Sequence, residues 1–264
     1  MNIKLLCENL KFDTDLTDII LKYDKELNYN EIQDKINLLY NRNTWDNGLK
    51  QLNDYIKEDE KGLKMLTICL HCLIKTYDMY KNLGISEKIF WDTMKFLTRF
   101  INEHKNLHDE FSFTWAWWFV REISMSEFRI GDFEFEFMND NKTISLHIPS
   151  DADLKNGQID VIFDFAKKYY PEYTNADIIC KSWLVVPALK ELLPKTSNII
   201  KFQDKFTVNK VDTESLAFMD WVYSSRNIPI KDLPENTTLQ RNMKKYLLSG
   251  KKIGWGYAVY NKEI

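Results

Sequence analysis

The chain has 264 residues, 44% of them apolar and 14% aromatic, with only 8 Gly and 6 Pro. That composition supports a large core or two domains and excludes a disordered chain. A net charge of −3 argues against a nucleic-acid binder, which needs a concentrated basic face. No membrane segment is expected, because the longest apolar stretch, 65–74, carries His71 and is far too short to span a bilayer. Glu8, Asp13 and Asp15 stand where a secretory signal needs an apolar run. Cys7, Cys69, Cys72 and Cys180 make no disulfide framework for a chain this size, so a cytoplasmic protein is expected.

In chain order, residues 1–125 read as helices almost throughout and form a first domain. Apolar residues recur three and four apart at Leu16, Ile19, Ile20 and Tyr23, and again at Ile32, Ile36 and Leu39. A longer helix is predicted over 60–82, striped by Leu66, Leu70, Leu73, Ile74 and Tyr77 and stopped near Gly84. Ser86 caps the next helix, which is expected to bury Ile89, Phe90, Met94, Leu97 and Ile101. A Trp-rich helix follows over 114–123. Two metal-like spacings are discounted: Cys69 and Cys72 lie inside a helix, and His104 with His108 lack the order of a metalloprotease motif. No metal is expected.

Near Glu127 the period changes, and 126–264 is expected to form a second, mixed α/β domain. Phe133-Glu134-Phe135-Glu136-Phe137 alternates strictly, as does the run 143–148. Asn139-Asp140-Asn141 between them is turn chemistry, so the two runs form a hairpin. A helix over 156–170 comes next. Then follow a strand over 176–184, a helix over 187–193, a strand over 198–207 and a helix over 214–224. Thr237 and Gln240 make a capping box for a helix ending at Gly250, and a last strand carries 254–259. The strands on either side of the 156–170 helix are expected to be parallel neighbours.

Several motifs resemble a bacterial family of GNAT-like acyltransferases, the acyl-coenzyme-A-dependent N-acyltransferase fold. They are Ser182-Trp183-Leu184 followed by Pro187, Leu192-Leu193-Pro194, and Ser197-Asn198-Ile199-Ile200 with Phe202-Gln203. Leu146-His147-Ile148-Pro149, the run 237–241 and Trp255-Gly256 agree, with a weaker echo at 90–94. The resemblance implies a helical N-terminal domain packed on a GNAT-like mixed sheet flanked by helices. It also implies acyl-coenzyme A as co-substrate and a small-molecule amine or peptide as acceptor.

On that fold the cofactor lies between two splayed strands, with its pyrophosphate on amides at the following helix. Here that place is 149–157, so Ile148, Ser150, Lys155, Asn156 and Gly157 are the candidate cofactor residues. The loop reads Pro-Ser-Asp-Ala-Asp-Leu-Lys-Asn-Gly and lacks the basic, Gly-rich turn of typical members. A helix capped by Asp153 or Asn156, with no phosphate held, is the competing expectation. The hairpin sets Glu134 opposite His147 if its turn has four residues, giving a candidate base and its orienter. A sheet with one wet face is the plainer expectation for such alternation. Ser182 is a third candidate catalytic residue, and Trp183, Asn198 and Gln203 are candidate substrate contacts. Cys180 reads as a buried thiol rather than an acyl carrier. The rival to an N-acyltransferase is a GNAT-fold binding module that has lost the coenzyme A phosphate loop.

Overall fold

The computed structural model describes every residue except Asn141, Glu263 and Ile264, so the last position of the expected 139–141 turn lies outside the described residues. The chain forms two compact units, Met1–Ile130 and Gly131–Ile264.

The first unit is helical. It contains α1 (Ile3–Asn9), α2 (Thr14–Glu26), α3 (Tyr29–Leu38), α4 (Trp45–Ile56), α5 (Leu63–Leu83), α6 (Glu87–His108) and α7 (Ala116–Ile123), and closes with β1 (Glu127–Ile130). Most of the predicted stripes are core: α5 buries Leu66, Leu70 and Leu73 with Tyr80, while Ile74 and Tyr77 are half-buried, and α6 buries Phe90, Met94, Leu97 and Ile101 with Ile89 half-buried. Gly84 ends α5 at φ +70°, the left-handed C-cap that glycine adopts without strain. Ser86 Oγ accepts from the Ile89 amide at the start of α6. Thr93 ties α6 to β1, donating to the Ile89 carbonyl and accepting from the Arg129 amide at 2.9 Å. Helices α1 and α4 and strand β1 were not predicted. In α4, Gly48 packs so tightly on α3 that an added Cβ would lie 2.9 Å from Leu38 Cβ. Its helical signal is thus broken by a residue chosen for close approach.

The second unit carries β2 (Phe133–Met138), β3 (Thr143–His147), β4 (Ile178–Ser182), β5 (Phe206–Asp212) and β6 (Trp255–Tyr260). Its strands run in the order β2-β3-β4-β6-β5. The β2–β3 and β4–β6 pairs are antiparallel and β3–β4 is parallel, as the crossover helix required. That crossover helix, α8 (Val161–Tyr169), packs under the apolar face of the hairpin, where the Phe137 ring lies 6.2 Å from Phe165 and stacks 4.4 Å from Tyr170.

Three predicted elements change form. The strand over 198–207 is a helix, α10 (Asn198–Gln203), followed by β5. Its residues serve a helix because Ile200 joins the cluster of Val186 and Leu189, Phe202 packs on Phe133 and Phe206, and Gln203 bonds the preceding loop, a tertiary choice that local β propensity misses. The 187–193 helix shrinks to a single turn, α9 (Leu189–Leu192), and the end of the predicted 176–184 strand becomes a 3-10 turn at Trp183–Val185. Helix α8 begins at Val161, five residues later than expected. The remaining helices are α11 (Phe218–Tyr223) and α12 (Thr238–Leu248). The capping box of α12 forms as predicted, with Gln240 N–H donating to Thr237 Oγ1 and Thr237 N–H to Gln240 Oε1.

Candidate functional site

Parallel strands β3 and β4 are paired at Ile144–Ile178, Ser145–Ile179 and Leu146–Cys180, and there the pairing ends. Both strands continue, β3 through His147 and β4 through Ser182, while β4 keeps its bonds to β6 at Lys181–Tyr257 and Ser182–Gly256. The last shared rung is Leu146–Cys180, and the strand ends just beyond it, led by His147 and Lys181, are the candidate wedge.

The residues around Ser182 fix where β4 ends. Ser182 Oγ accepts from the Leu184 amide at 3.1 Å and caps the 3-10 turn. Gln203, 2% exposed, donates through Nε2 to the Val186 carbonyl at 2.6 Å and to the Leu184 carbonyl at 3.4 Å. Gly256 lies under the same turn, where an added Cβ would meet Val185 Cγ2 at 2.8 Å and the Ser182 carbonyl at 3.2 Å. Trp183 is half-buried against the cluster of Val186, Leu189, Phe218 and Met243. The Ser-Trp, Phe-Gln and Trp-Gly motifs thus form one knot that fixes the end of β4. Ser182 caps the turn, Trp183 packs on the cluster, Gln203 clamps two carbonyls, and Asn198 is exposed at the start of α10 rather than on a strand.

Strand periodicity sorts the side chains by face. Phe133, Phe135 and Phe137 share the α8 face with Ile144, Leu146, Ile178 and Cys180. Glu134, Glu136, Ser145, His147, Ile179, Lys181 and Tyr257 share the other. The hairpin register places Glu134 opposite His147, as the four-residue turn required. The ion pair nevertheless runs to the diagonal neighbour: His147 Nε2 lies 3.2 Å from Glu136 Oε2. The expected wet face is also corrected, since Glu134, Glu136 and Ser145 are all buried and both faces of β2 are covered. With Glu136 ionised, the carboxylate accepts from His147 Nε2–H, the tautomer that leaves the basic lone pair on Nδ1. Cys180 is buried on the α8 face, and burial pushes its thiol up to about 12.

The loop after β3 is a self-contained turn. Asp153 Oδ1 accepts from the amides of Lys155 at 2.8 Å and Asn156 at 3.3 Å, and Oδ2 accepts from Asn156 Nδ2 at 2.7 Å. The Asp153 carbonyl takes the Gly157 amide at 2.8 Å. These bonds, the Lys155 amide first, hold the Asp153 carboxyl below the usual carboxylate range. Asp153 therefore caps a turn, not a helix. Ser150, Lys155 and Asn156 are exposed and Ile148 is half-buried. Gly157 is buried because the Phe133 ring packs on its α-carbon, where a Cβ would stand 2.7 Å from the ring.

Two depressions mark the surface elsewhere. One of about 500 Å³ in the first unit is lined by Asp46, Asp54, Asp59 and Trp117. A second, of about 280 Å³, is lined by Leu216, Phe218, Ile230 and Leu247. Neither includes a wedge residue.

Residues 94–260 match the family described as the GNAT-like C-terminal domain, and residues 1–125 match the N-acyltransferase N-terminal domain. No match was found among curated proteins. Among solved structures, an acyltransferase in complex with decanoyl-CoA is 17% identical, with a TM-score of 0.73 over 98% of this chain and 86% of that one. An acyltransferase mutant in complex with octanoyl-CoA is 14% identical, with a TM-score of 0.75 over 98% of this chain and 87% of that one. A complex of an acyltransferase with decanoyl-CoA and teicoplanin is 18% identical, with a TM-score of 0.65 over 75% of this chain; the chain spans 65% of that protein's length. At these identities the likeness establishes the fold. Among the described residues, no helix is long and apolar enough to cross a membrane.

Proposed function

The chain belongs to the GNAT-like family, and on that premise we propose that it transfers an acyl group from a coenzyme A thioester to an amine. The observation that carries the reading is the His147–Glu136 pair beside the last β3–β4 rung, Leu146–Cys180, where this fold would hold its co-substrate. The inner edges near 147–148 and 181–182 offer backbone groups to the amide-bearing pantetheine arm. In this reading His147 accepts the proton that the acceptor ammonium must lose, and Glu136 holds the imidazole in the tautomer that can do so. The amine nitrogen then bonds to the thioester carbon, the carbon–sulfur bond breaks, and coenzyme A leaves as the thiol. Solved neighbours bound to decanoyl- and octanoyl-coenzyme A support a medium-length acyl chain as donor. A neighbour bound to teicoplanin supports a peptide-like acceptor as one class to try.

The phosphate end of the co-substrate fits less well. The amides of Lys155 and Asn156, which would face a pyrophosphate on this fold, are taken by the Asp153 carboxylate. That observation favours a second reading, a GNAT-fold module that binds another ligand and has given up coenzyme A. The two are separated by a thermal-unfolding titration with octanoyl- and decanoyl-coenzyme A. Saturation at a hundred times Kd adds about 2.7 kcal/mol, which for a chain this long raises Tm by roughly 5–10 °C. A flat response at millimolar ligand retires the transferase reading and leaves the binding module.

A further inference from the structure

Strand β5 carries an irregularity with a purpose. It pairs with β6 at Phe206–Tyr260, Thr207–Val259 and Val208–Ala258, then resumes at Lys210–Tyr257, leaving Asn209 as an extra residue. Without that bulge, Lys210 would point to the same buried face as Phe206 and Val208. With it, Lys210 turns to the opposite face, where Tyr257 lies between it and Lys181 of β4. Lys181, Tyr257 and Lys210 therefore form a transverse row over three adjacent strands. His147 stands next along the row on β3, on the same face.

The row is cationic and accessible. Lys181 and Lys210 are exposed and Tyr257 is half-buried. Lys210 Nζ stands 5.8 Å from the Tyr257 ring, and no carboxylate is bonded to either lysine among the described residues. The carboxylates sharing this face are placed elsewhere. Glu136 is held by His147, and Glu134 is buried on β2. Asp212 lies a rung further along β5, opposite Trp255, and accepts from the Glu214 amide. The two lysines are two strand spacings apart, about 9.5 Å, a span that flexible lysine stems close around a small anion. Two ammonium groups flanking a phenol are donors only or donor-rich, the chemistry that recognises a carboxylate or phosphate.

We propose that Lys181, Tyr257 and Lys210 form an anion site that holds a carboxylate or phosphate of a substrate lying along the His147 face of the sheet. The bulge at Asn209 is the device that builds it. The inference rests on the transferase reading only for which substrate carries the anion. If the anion is the acceptor's, the acceptor is an amine that also bears an acidic group. If it is the donor's, the site supplies the phosphate contact that the Asp153 turn withholds.

The test is calorimetric titration at low salt with inorganic pyrophosphate, coenzyme A and pantetheine. The proteins are wild type, K181Q, K210Q, the double variant and K190Q, with circular dichroism to confirm folding. Lys190 pairs with Asp204 on the exposed surface and serves as the control. The expected result is saturable pyrophosphate binding by wild type and K190Q, weakened about tenfold or more in the double variant, as losing a charge-assisted contact implies. Parallel weakening of coenzyme A but not pantetheine assigns the anion to the donor. Unchanged coenzyme A binding assigns it to the acceptor. Absence of saturable pyrophosphate binding, or equal binding by the double variant, overturns the site. If coenzyme A fails to bind while the pyrophosphate result holds, the transferase reading falls and the anion site stands.

Discussion

His147 stands at the end of β3 with its Nε2 on Glu136, and the two side chains differ in what their loss would do. H147Q removes the base, so turnover is expected to drop about 10²–10⁴-fold, with KM for the acyl donor nearly unchanged, measured with a chromogenic thiol assay. E136Q keeps the shape but removes the charge that orients the ring, and its signature is a shifted pH–rate profile rather than abolished turnover. The thiols behave oppositely to a nucleophile. Cys7, Cys69, Cys72 and Cys180 are all buried, and burial pushes Cys7 up to about 11 and Cys72 and Cys180 up to about 12. Folded protein is therefore expected to resist a thiol-reactive dye at neutral pH and to react with it only on denaturation. Rapid labelling of Cys180 in the native state would contradict its assignment as core. At this scale the sequence was informative about faces and not about partners. Alternation put His147, Glu134 and Glu136 on one side, but which carboxylate bonds the imidazole depends on side-chain reach along the diagonal, which pattern does not encode.

The elements around the wedge act by fixing where β4 ends. The Gln203 amide clamps two carbonyls of the 183–186 segment from a buried position, so Q203A removes its bonds to Leu184 and Val186, while the Val186 carbonyl keeps the Leu189 amide. It is expected to cost about 1–3 kcal/mol, read as a lower denaturation midpoint, and to weaken acyl-coenzyme A binding through a looser wedge. Gly157 offers a second check. A methyl group there meets the Phe133 ring and the Asp153 carbonyl, both at 2.7 Å. G157A is accordingly expected to destabilise by about 1–3 kcal/mol through overpacking. Little loss would mean the loop repacks freely and does not set the entry to α8. The hairpin register, the β3–β4 crossover and the Thr237–Gln240 capping box were legible because each depends on local period or fixed spacing. The Asn198–Gln203 helix was not, because its apolar residues suit either state until Gln203 finds the Val186 carbonyl. Nor was the Asn209 bulge, since one extra residue in a strand leaves no mark on composition.

Across the whole chain the pH response is set by groups that fold differently from how they ionise. His71 stacks on Tyr29 with centroids 3.8 Å apart, and burial lowers its pKa from the ordinary value. The unfolded chain then binds a proton that the folded chain refuses. The stability contribution is complete above the ordinary histidine pKa of about 6.5 and is lost progressively as pH falls below it, down to the folded value. Denaturation midpoints at pH 7.5 and 5.5 are expected to differ in that sense, and H71Q to flatten the difference. The wedge, by contrast, is a property of backbone pairing, and its claim is tested most directly by hydrogen–deuterium exchange with and without decanoyl-coenzyme A. The account predicts that the ligand slows exchange at the amides of His147, Ile148 and 181–183, with little change in α2 or α12. Saturating ligand with no added protection at those amides, or protection confined to another segment, would contradict it.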